Sequence, residues 1–270
     1  PVIYGGLGTF ATEITKKQKE LGNEICVFSL NENNKLDTYQ KCAEMDVYRP
    51  KTLDLTETFR LIASYELKSW GDHFKFFSDV LSYNTMSASQ LVNLHIRKEQ
   101  KNFDIVDAHD WLGIIGGMIV KKETNLPLIF HVHSTEVGRS IGRGSHTIKD
   151  IEFEGGQIAD CVITVSYAMK DELEKLGFPP DKIKVCWNGV DPDKYNPDKV
   201  SDEDKLKLRR GYGIEDSETM IFFVGRLVTV KGVDKLVEAM PDVFSDFPNA
   251  KLVILGIGDM EHDLKNRAEE

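Results

Sequence analysis

The sequence predicts an α/β protein with two doubly wound units, of which the second is only begun. Short apolar runs rich in β-branched residues alternate with helical patterns. Hydrophobicity within each run is continuous, as in strands buried on both faces of a parallel sheet. A polar segment divides the runs into two groups. The runs are EICVFSL (24–30), FDIVDAH (103–109), LPLIFHVHS (126–134), DCVITVSY (160–167), IKVCWNGV (183–190), TMIFFVGRL (219–227) and AKLVILGIG (250–258).

The polar segment NPDKVSDEDKLKLRRGYGIEDSE (196–218) sets the domain boundaries. We predict a first domain over 1–200, a linker over 201–218 that contains an exposed helix, and a second domain over 219–270. A chain of 270 residues is long enough for two domains of roughly 100 to 200 residues. About 50 residues with two strands cannot bury a doubly wound core, so we expect the second domain to be truncated.

The chain begins with PVIYGGLGT, a glycine-rich turn followed by a predicted helix from Thr9 to Glu20. Such a turn normally leaves a strand, so we expect Pro1 to Tyr4 to be the exit from a first strand that the sequence lacks. Glycines at 5, 6 and 8 have no Cβ, which lets a ligand approach the backbone, and the helix N-terminus behind them favours negative charge. A purely structural turn is the alternative.

The remaining elements follow from local pattern. Residues 31–100 are aromatic and polar without strong strand signals, and we predict a short hairpin followed by two helices there. Further helices are predicted at Trp111–Lys122 and Met169–Leu176.

Composition excludes several functional classes. The chain carries 34 Lys and Arg against 44 Asp and Glu, a net charge of −10, which argues against broad nucleic-acid binding or adhesion to an anionic membrane. Its four cysteines show no C-x-x-C spacing and are predicted to be reduced packing residues of a cytoplasmic protein. No apolar stretch reaches the ~20 residues of a membrane span, and no signal peptide is recognisable. Because residue 1 is proline, we expect a fragment.

Two motifs end neighbouring predicted strands of the first domain. His109-Asp110-Trp111 suits a sugar, because it combines hydrogen-bonding groups with an aromatic face. The alternative is Asp110 as a helix N-cap with a buried Trp111. In HVHSTE, strand alternation places His131 and His133 on one face, yet H-x-H without a third ligand is weak evidence for metal. We instead predict that His133 and Glu136 contact substrate hydroxyls and that no metal binds.

The second domain carries the most informative stretch, FFVGRLVTVKGVDKLVEAM. Arg226 and Lys231 lie between a strand and a helix N-terminus. The guanidinium, the ammonium and the helix N-terminus each favour the negative charge of a diphosphate. Gly256 and Gly258 are predicted to form another phosphate-side turn. This turn lacks the third glycine and the later acid of a dinucleotide fingerprint, so NAD binding is unsupported.

Taken together, the ordered motifs resemble the retaining glycosyltransferases of the GT-B fold, the broad family that includes glycogen and starch synthases. GGLG, HDW, HVHSTE, VITVSYAMK, NGVDPDKYNP, FVGRLVTVKGVDKLVEAM and LVILGIGDM appear in the expected order. The resemblance implies two Rossmann-like domains, with the donor bound mainly to the second. It assigns Arg226 and Lys231 to the donor diphosphate, His133 to the transferred sugar, and Gly5 and Gly6 to the loop that closes over the donor phosphates and the acceptor.

The resemblance implies transfer of a hexosyl group, glucosyl in the first instance, from a UDP-sugar or ADP-sugar to a carbohydrate acceptor, without metal or other cofactor. Glucan synthases usually carry lysine where this chain has Ile3, so the general class is predicted rather than α-glucan synthesis. The family's paired glutamates would lie beyond Glu270, and we therefore expect the chain alone to be inactive. A sugar-nucleotide epimerase of the same fold and a non-catalytic sugar-binding module are the alternatives. The oligomeric state stays open.

Overall fold

The computed structural model describes residues 5–269. They divide into two compact units at the Asn188–Gly189 junction. The expected strand exit at 1–4 lies outside the described residues.

The first unit contains seven strands in two sheets. A four-stranded parallel sheet has the order β4-β5-β6-β7, and a three-stranded sheet has the order β1-β3-β2. In the smaller sheet, β1 pairs parallel with β3, while β2 and β3 form the predicted hairpin. The strands are β1 Cys26–Phe28, β2 Tyr39–Cys42, β3 Met45–Tyr48, β4 Val106–His109, β5 Leu128–Val132, β6 Cys161–Thr164 and β7 Ile183–Val185.

Eight α-helices surround these strands in the described part of the first unit. A π-helical stretch, Gln90–Lys98, continues α4. The prediction of two helices after the hairpin is wrong, because the short α2 and α3 precede the long α4. The helices predicted at Trp111–Lys122 and Met169–Leu176 are confirmed as α5 and α8. The helices are α1 Gly5–Glu20, α2 Thr56–Ile62, α3 Tyr65–Lys68, α4 Asp72–Ser89, α5 Asp110–Thr124, α6 Glu136–Arg139, α7 His146–Ile158 and α8 Tyr167–Lys175.

The core of this unit lies around the four parallel strands. Ile114 of α5, Leu128 and Phe130 of β5, Val162 of β6 and Leu173 of α8 are fully buried in one cluster. Buried and half-buried residues alternate along β6, so this core lies on one face of the sheet, and the expectation of strands buried on both faces is not met there.

Helix α1 corrects the prediction for the glycines. Gly5, Gly6 and Gly8 lie in the first turn of the helix, which begins at Gly5 and not at Thr9. The first-turn N–H groups of a helix have no intrahelical acceptor, so glycine costs little there and the helix extends through it.

The second unit contains a strand pair between helices. Parallel β8 (Thr219–Val224) and β9 (Ala250–Leu255) are joined by α10 (Val233–Asp246), and α11 (Glu261–Glu269) follows. The predicted exposed helix is confirmed as α9 (Asp202–Gly211), which begins after an Ser201 N-cap and has no buried residue.

No helix among residues 5–269 combines the length and apolar character that a membrane crossing requires.

Candidate functional site

Three histidines meet at the carboxyl end of the parallel sheet of the first unit. His109 ends β4, His131 lies opposite it on β5, and His133 follows β5. The rings of His131 and His133 are stacked, with centroids 4.5 Å apart, which confirms that they share one face. Nδ1 of His109 lies 3.1 Å from Nε2 of His133, at hydrogen-bond distance. We call these three residues the histidine cluster.

Helix α1 covers the histidine cluster with one aromatic side chain. The Phe10 ring centroid lies 4.6 Å from that of His133 and 5.0 Å from that of His131. Gly6 lies one helical turn before Phe10. The structure thus places the predicted glycine segment and His133 at one end of the sheet. The Phe10 ring makes the contact between α1 and the histidines, a role that the sequence did not indicate.

Asp107 is a member of the site that the sequence analysis missed. One carboxylate oxygen lies 3.5 Å from Nε2 of His109 and 3.9 Å from Nδ1 of His131. Burial opposes ionisation, but the favourable interaction with these two nearby imidazoles outweighs it and holds the pKa of Asp107 well below its ordinary value. A carboxylate at that distance favours a proton on Nε2 of His109, so Nδ1 accepts and His133 donates from Nε2. The D-x-H pattern at the end of β4 is the signal that could have revealed it.

His133 is held neutral by its surroundings. Burial, followed by the positive charges that His131 and His109 would carry, lowers the pKa of His133 from 6.5 to about 3. A neutral imidazole keeps one ring nitrogen free to accept a hydrogen bond.

This pKa makes stability depend on pH. In the unfolded chain His133 becomes protonated below pH 6.5, whereas in the folded chain it becomes protonated only near pH 3. The free energy of unfolding should therefore fall as pH decreases across this window. Asp107 adds to the loss only below its ordinary value of 3.8. We expect His133→Gln to flatten the dependence between pH 6.5 and about 4.5. Urea unfolding followed by tryptophan fluorescence measures it, because Trp70, Trp111 and Trp187 all lie in the first unit.

The control for this measurement is His73→Gln, which removes an exposed histidine of the same unit. It should retain the wild-type slope. Equal slopes for His133→Gln and wild type would contradict the assignment.

Asp110 holds the end of β5 against the start of α5. Its carboxylate accepts the backbone N–H groups of His133 at 2.8 Å and Ser134 at 3.4 Å. Burial raises the pKa of Asp110, and these hydrogen bonds partly oppose the rise. The residue adopts a left-handed φ of +49°. The alternative that Asp110 is the N-cap is wrong, because His109 occupies that position, whereas the expected burial of Trp111 is confirmed. Sugar contact by His109 and Asp110 stays a prediction.

Glu136 is engaged within its own unit. Its carboxylate accepts the N–H of Ser145 at 3.0 Å and a guanidinium N–H of Arg139 at 3.3 Å. Buried Glu152 accepts the N–H of Glu136 and pairs with Arg139 at 2.6 Å. Burial raises the pKa of Glu152 despite these partners. The Glu136 carboxylate thus stabilises the α6 turn that follows Thr135. A contact between Glu136 and substrate hydroxyls stays a prediction.

The histidine cluster also contains the donor types that bind divalent cations. The ligand nitrogens of the three residues lie within 4.8 Å of one another, and Nε2 of His131 is buried without a hydrogen-bond partner among the described residues. The three rings are nearly parallel, however, and those of His109 and His133 lie with their centroids 5.4 Å apart and their nitrogens facing. Lone pairs must converge on one point to bind a metal, so this arrangement is a hydrogen-bonded pair beside a stacked ring.

The second unit presents the predicted phosphate ligands. Arg226 follows β8, and Lys231 ends a 3₁₀ turn just before the N-terminus of α10. Both side chains are exposed, and neither forms a hydrogen bond or ion pair with any residue in 5–269. The N-cap Gly232 contributes no side chain, so the first N–H groups of α10 are also uncapped by one. Two unpaired cations therefore lie beside a positive helix end.

Gly256 and Gly258 permit two loops to touch through their backbones. A Cβ on Gly256 would lie 1.9 Å from the carbonyl oxygen of Gly225, and one on Gly258 would lie 2.4 Å from that of Leu227. The N–H of Leu227 donates to Ile257 at 2.9 Å. These glycines thus hold the loop that carries Arg226, a structural role that the sequence did not indicate, and a direct phosphate contact stays a prediction.

The chain matches two glycosyltransferase family models and several glycosyltransferase sequences. The family model described as Glycosyltransferase Family 4 matches residues 4–194, and that of Glycosyl transferases group 1 matches 204–270. An uncharacterized glycosyltransferase from Methanocaldococcus jannaschii is 31% identical over 98% of this chain and 63% of its own length. A glycogen synthase from Mycobacterium tuberculosis is 24% identical over the whole chain and 62% of its own length. The chain therefore spans about three fifths of these relatives.

Solved structures show the same fold. Sucrose-phosphate synthase from Thermosynechococcus elongatus superposes with a TM-score of 0.71 at 17% identity, over 98% of this chain and 60% of that one. HepE from Anabaena, solved in complex with UDP-glucose, superposes with a TM-score of 0.56 at 20% identity, over 70% of this chain and 47% of that one. The predicted α/β class with parallel sheets is confirmed.

Proposed function

The chain belongs to glycosyltransferase family 4, and on that premise we propose that the full-length protein transfers a glucosyl group from a nucleoside-diphosphate sugar to a carbohydrate acceptor with retention of configuration. The proposal rests on two cations at the N-terminus of α10, Arg226 and Lys231, whose side chains have no partner among residues 5–269. The proposal concerns the whole protein, because this chain spans about three fifths of its relatives.

Arg226 and Lys231 would stabilise the departing nucleoside diphosphate. A guanidinium offers a planar fork of donors to two phosphate oxygens, and an ammonium adds a compact charge. The N–H groups of α10 add a third source of positive potential. Negative charge grows on the diphosphate as the glycosidic bond breaks, so these groups lower the barrier without a metal or another cofactor.

The histidine cluster would contact the transferred sugar. His133 is neutral and oriented by its hydrogen bond to His109, so its free ring nitrogen can accept a sugar hydroxyl. Asp107 holds the tautomer of His109, and Phe10 restricts the rings from above. The nucleotide of the donor would be UDP or ADP, as the resemblance to glycogen and starch synthases implies, and the structural neighbour HepE is solved with UDP-glucose.

A transfer assay tests the proposal. Incubation of the full-length protein with radiolabelled UDP-glucose or ADP-glucose and a glucan acceptor should release nucleotide and label the glycan. His133→Ala should lower transfer at least tenfold with little change in melting temperature, because it removes a sugar contact from a folded unit. His73→Ala is the matched control and should transfer at the wild-type rate.

Other outcomes would assign other functions. Conversion of the sugar nucleotide in the absence of acceptor would indicate an epimerase. Binding without release or conversion would indicate a sugar-binding module. We expect the 270-residue chain by itself to transfer nothing.

A further inference from the structure

Three ionisable side chains lie in a line on one face of the four-stranded sheet. Asp107 and His109 are two residues apart on β4 and share that face, and His131 lies opposite His109 on β5. His133 follows His131 by two residues. A carboxylate oxygen of Asp107 lies 3.5 Å from Nε2 of His109, and Nδ1 of His109 lies 3.1 Å from Nε2 of His133. The order along the line is therefore Asp107, His109, His133.

The line is open at its His133 end. Nε2 of His133 donates to His109, so Nδ1 of His133 carries the lone pair. This Nδ1 has no hydrogen-bond partner among the described residues, and the His133 side chain is only partly buried. A hydroxyl that approached this end of the sheet could donate its proton to Nδ1.

The tautomers along the line are matched for proton transfer. Each imidazole can accept a proton on one ring nitrogen while it releases another proton from the second. His133 accepts at Nδ1 and donates at Nε2, and His109 accepts at Nδ1 and carries its own proton on Nε2, toward Asp107. A proton that reaches His133 can therefore be replaced by one delivered to His109 without rotation of either ring.

The surroundings favour an extra proton on His109 over one on His133. Burial, followed by the charges that His131 and His109 would carry, lowers the pKa of His133 to about 3, so an imidazolium is disfavoured at that ring. The nearby imidazoles hold the pKa of Asp107 well below its ordinary value, so its carboxylate stays ionised. An anion at 3.5 Å stabilises an imidazolium on His109.

We propose that Asp107, His109 and His133 form a proton relay that takes the proton of the acceptor hydroxyl during glycosyl transfer. The acceptor oxygen bonds to the anomeric carbon of the donor as the bond from that carbon to the diphosphate oxygen breaks. The hydroxyl proton moves to Nδ1 of His133, and the Nε2 proton of His133 moves to Nδ1 of His109. His109 is then an imidazolium paired with Asp107, and it returns a proton through His133 to water when the product leaves.

The roles within the relay differ. His133 is the catalytic residue, because it would touch the acceptor hydroxyl, and His109 and Asp107 are positioning residues that act through it. The relay rests on the proposed function, since it assigns the base that glycosyl transfer to a hydroxyl requires.

Two substitutions test the relay while they preserve its shape. In His109→Gln an amide oxygen can still accept the N–H of His133 but cannot take up a proton, and Asp107→Asn removes the charge that stabilises the imidazolium. In the full-length protein each should lower kcat about 10- to 100-fold, with the KM values of donor and acceptor within about twofold of wild type. The double variant should be no slower than the slower single variant, because the residues act as a unit. Asp104→Asn, at an exposed carboxylate just before β4, is the control and should keep the wild-type kcat.

Two further measurements separate a relay from a structural role. In single turnovers, the wild-type rate should fall along a curve as the deuterium content of the solvent rises, because more than one proton moves, whereas the rate of His109→Gln should fall linearly. Nitrogen-15 NMR of the 270-residue chain should show His133 protonated at Nε2 and unprotonated at Nδ1.

The outcomes distinguish this proposal from the proposed function. Absence of transfer by the wild-type protein would overturn both. Transfer by wild type with unchanged kcat in His109→Gln and Asp107→Asn would overturn the relay alone and would leave the departing diphosphate as the base. A raised acceptor KM at unchanged kcat, a linear deuterium dependence in wild type, or a proton on Nδ1 of His133 would likewise overturn the relay.

Discussion

Replacement of Arg226 by alanine is expected to lower kcat/KM for glycosyl transfer about 100- to 1,000-fold in the full-length protein, a loss of about 3 kcal/mol of transition-state stabilisation. Lys231→Ala should have a similar effect. Each substitution removes a side-chain cation that would stabilise the departing diphosphate. Neither cation has another partner among the described residues, so no other contact is lost. The melting temperature of the second unit should therefore stay unchanged. Initial rates at subsaturating donor measure the effect.

Two further variants make the result specific. Arg226→Lys keeps the charge but loses the planar fork, so it should recover part of the lost rate. Lys235→Ala removes an exposed cation of α10 that pairs with Glu238 at 2.7 Å, and should leave the rate near wild type. Unchanged rates in both Arg226→Ala and Lys231→Ala would refute the diphosphate assignment.

Gly256→Ala is expected to destabilise the second unit by about 3 kcal/mol or more. The added methyl would lie 1.9 Å from the carbonyl oxygen of Gly225, and backbone hydrogen bonds from Gly225 to Leu255 and from Leu227 to Ile257 hold the two segments together. Amide exchange in β8 and β9 should accelerate strongly. Tryptophan fluorescence, which reports only the first unit, should show an unchanged transition.

The matched control is Gly211→Ala at the end of α9. A Cβ there meets no atom within 4 Å, and alanine favours the helix, so stability should hold or rise slightly. If Gly256→Ala retained wild-type exchange in β8 and β9, the two loops would not be packed through their backbones.

Local sequence patterns predict most of the fold. Apolar runs rich in β-branched residues identify the parallel strands, and Ser201 identifies the start of α9 because its side chain caps the first turn. The shared face of His131 and His133 follows from strand alternation alone. The start of α1 is not predictable in this way, because glycine is as compatible with a helical first turn as with a loop.

The rest of the site depends on which strands and loops are neighbours. His109 joins His131 only because β4 pairs with β5, and Asp107 matters only because that pairing places its carboxylate between two imidazoles. Arg139 and Glu152 meet across α6 and α7, 13 residues apart. The steric need for Gly256 likewise appears only when the β8 and β9 loops are placed side by side.

The contact between these two loops bears on the entropy of ligand binding. Leu227 donates its N–H to Ile257 and accepts the N–H of Met260 at 3.0 Å, so the main chain beside Arg226 is fixed before any anion arrives. A diphosphate bound here would freeze side-chain rotamers only, at about 0.5–1.5 kcal/mol each, and would leave the loop backbone where it is. Gly256 and Gly258, which carry no functional group, would thus keep the backbone of a preorganised anion site rigid.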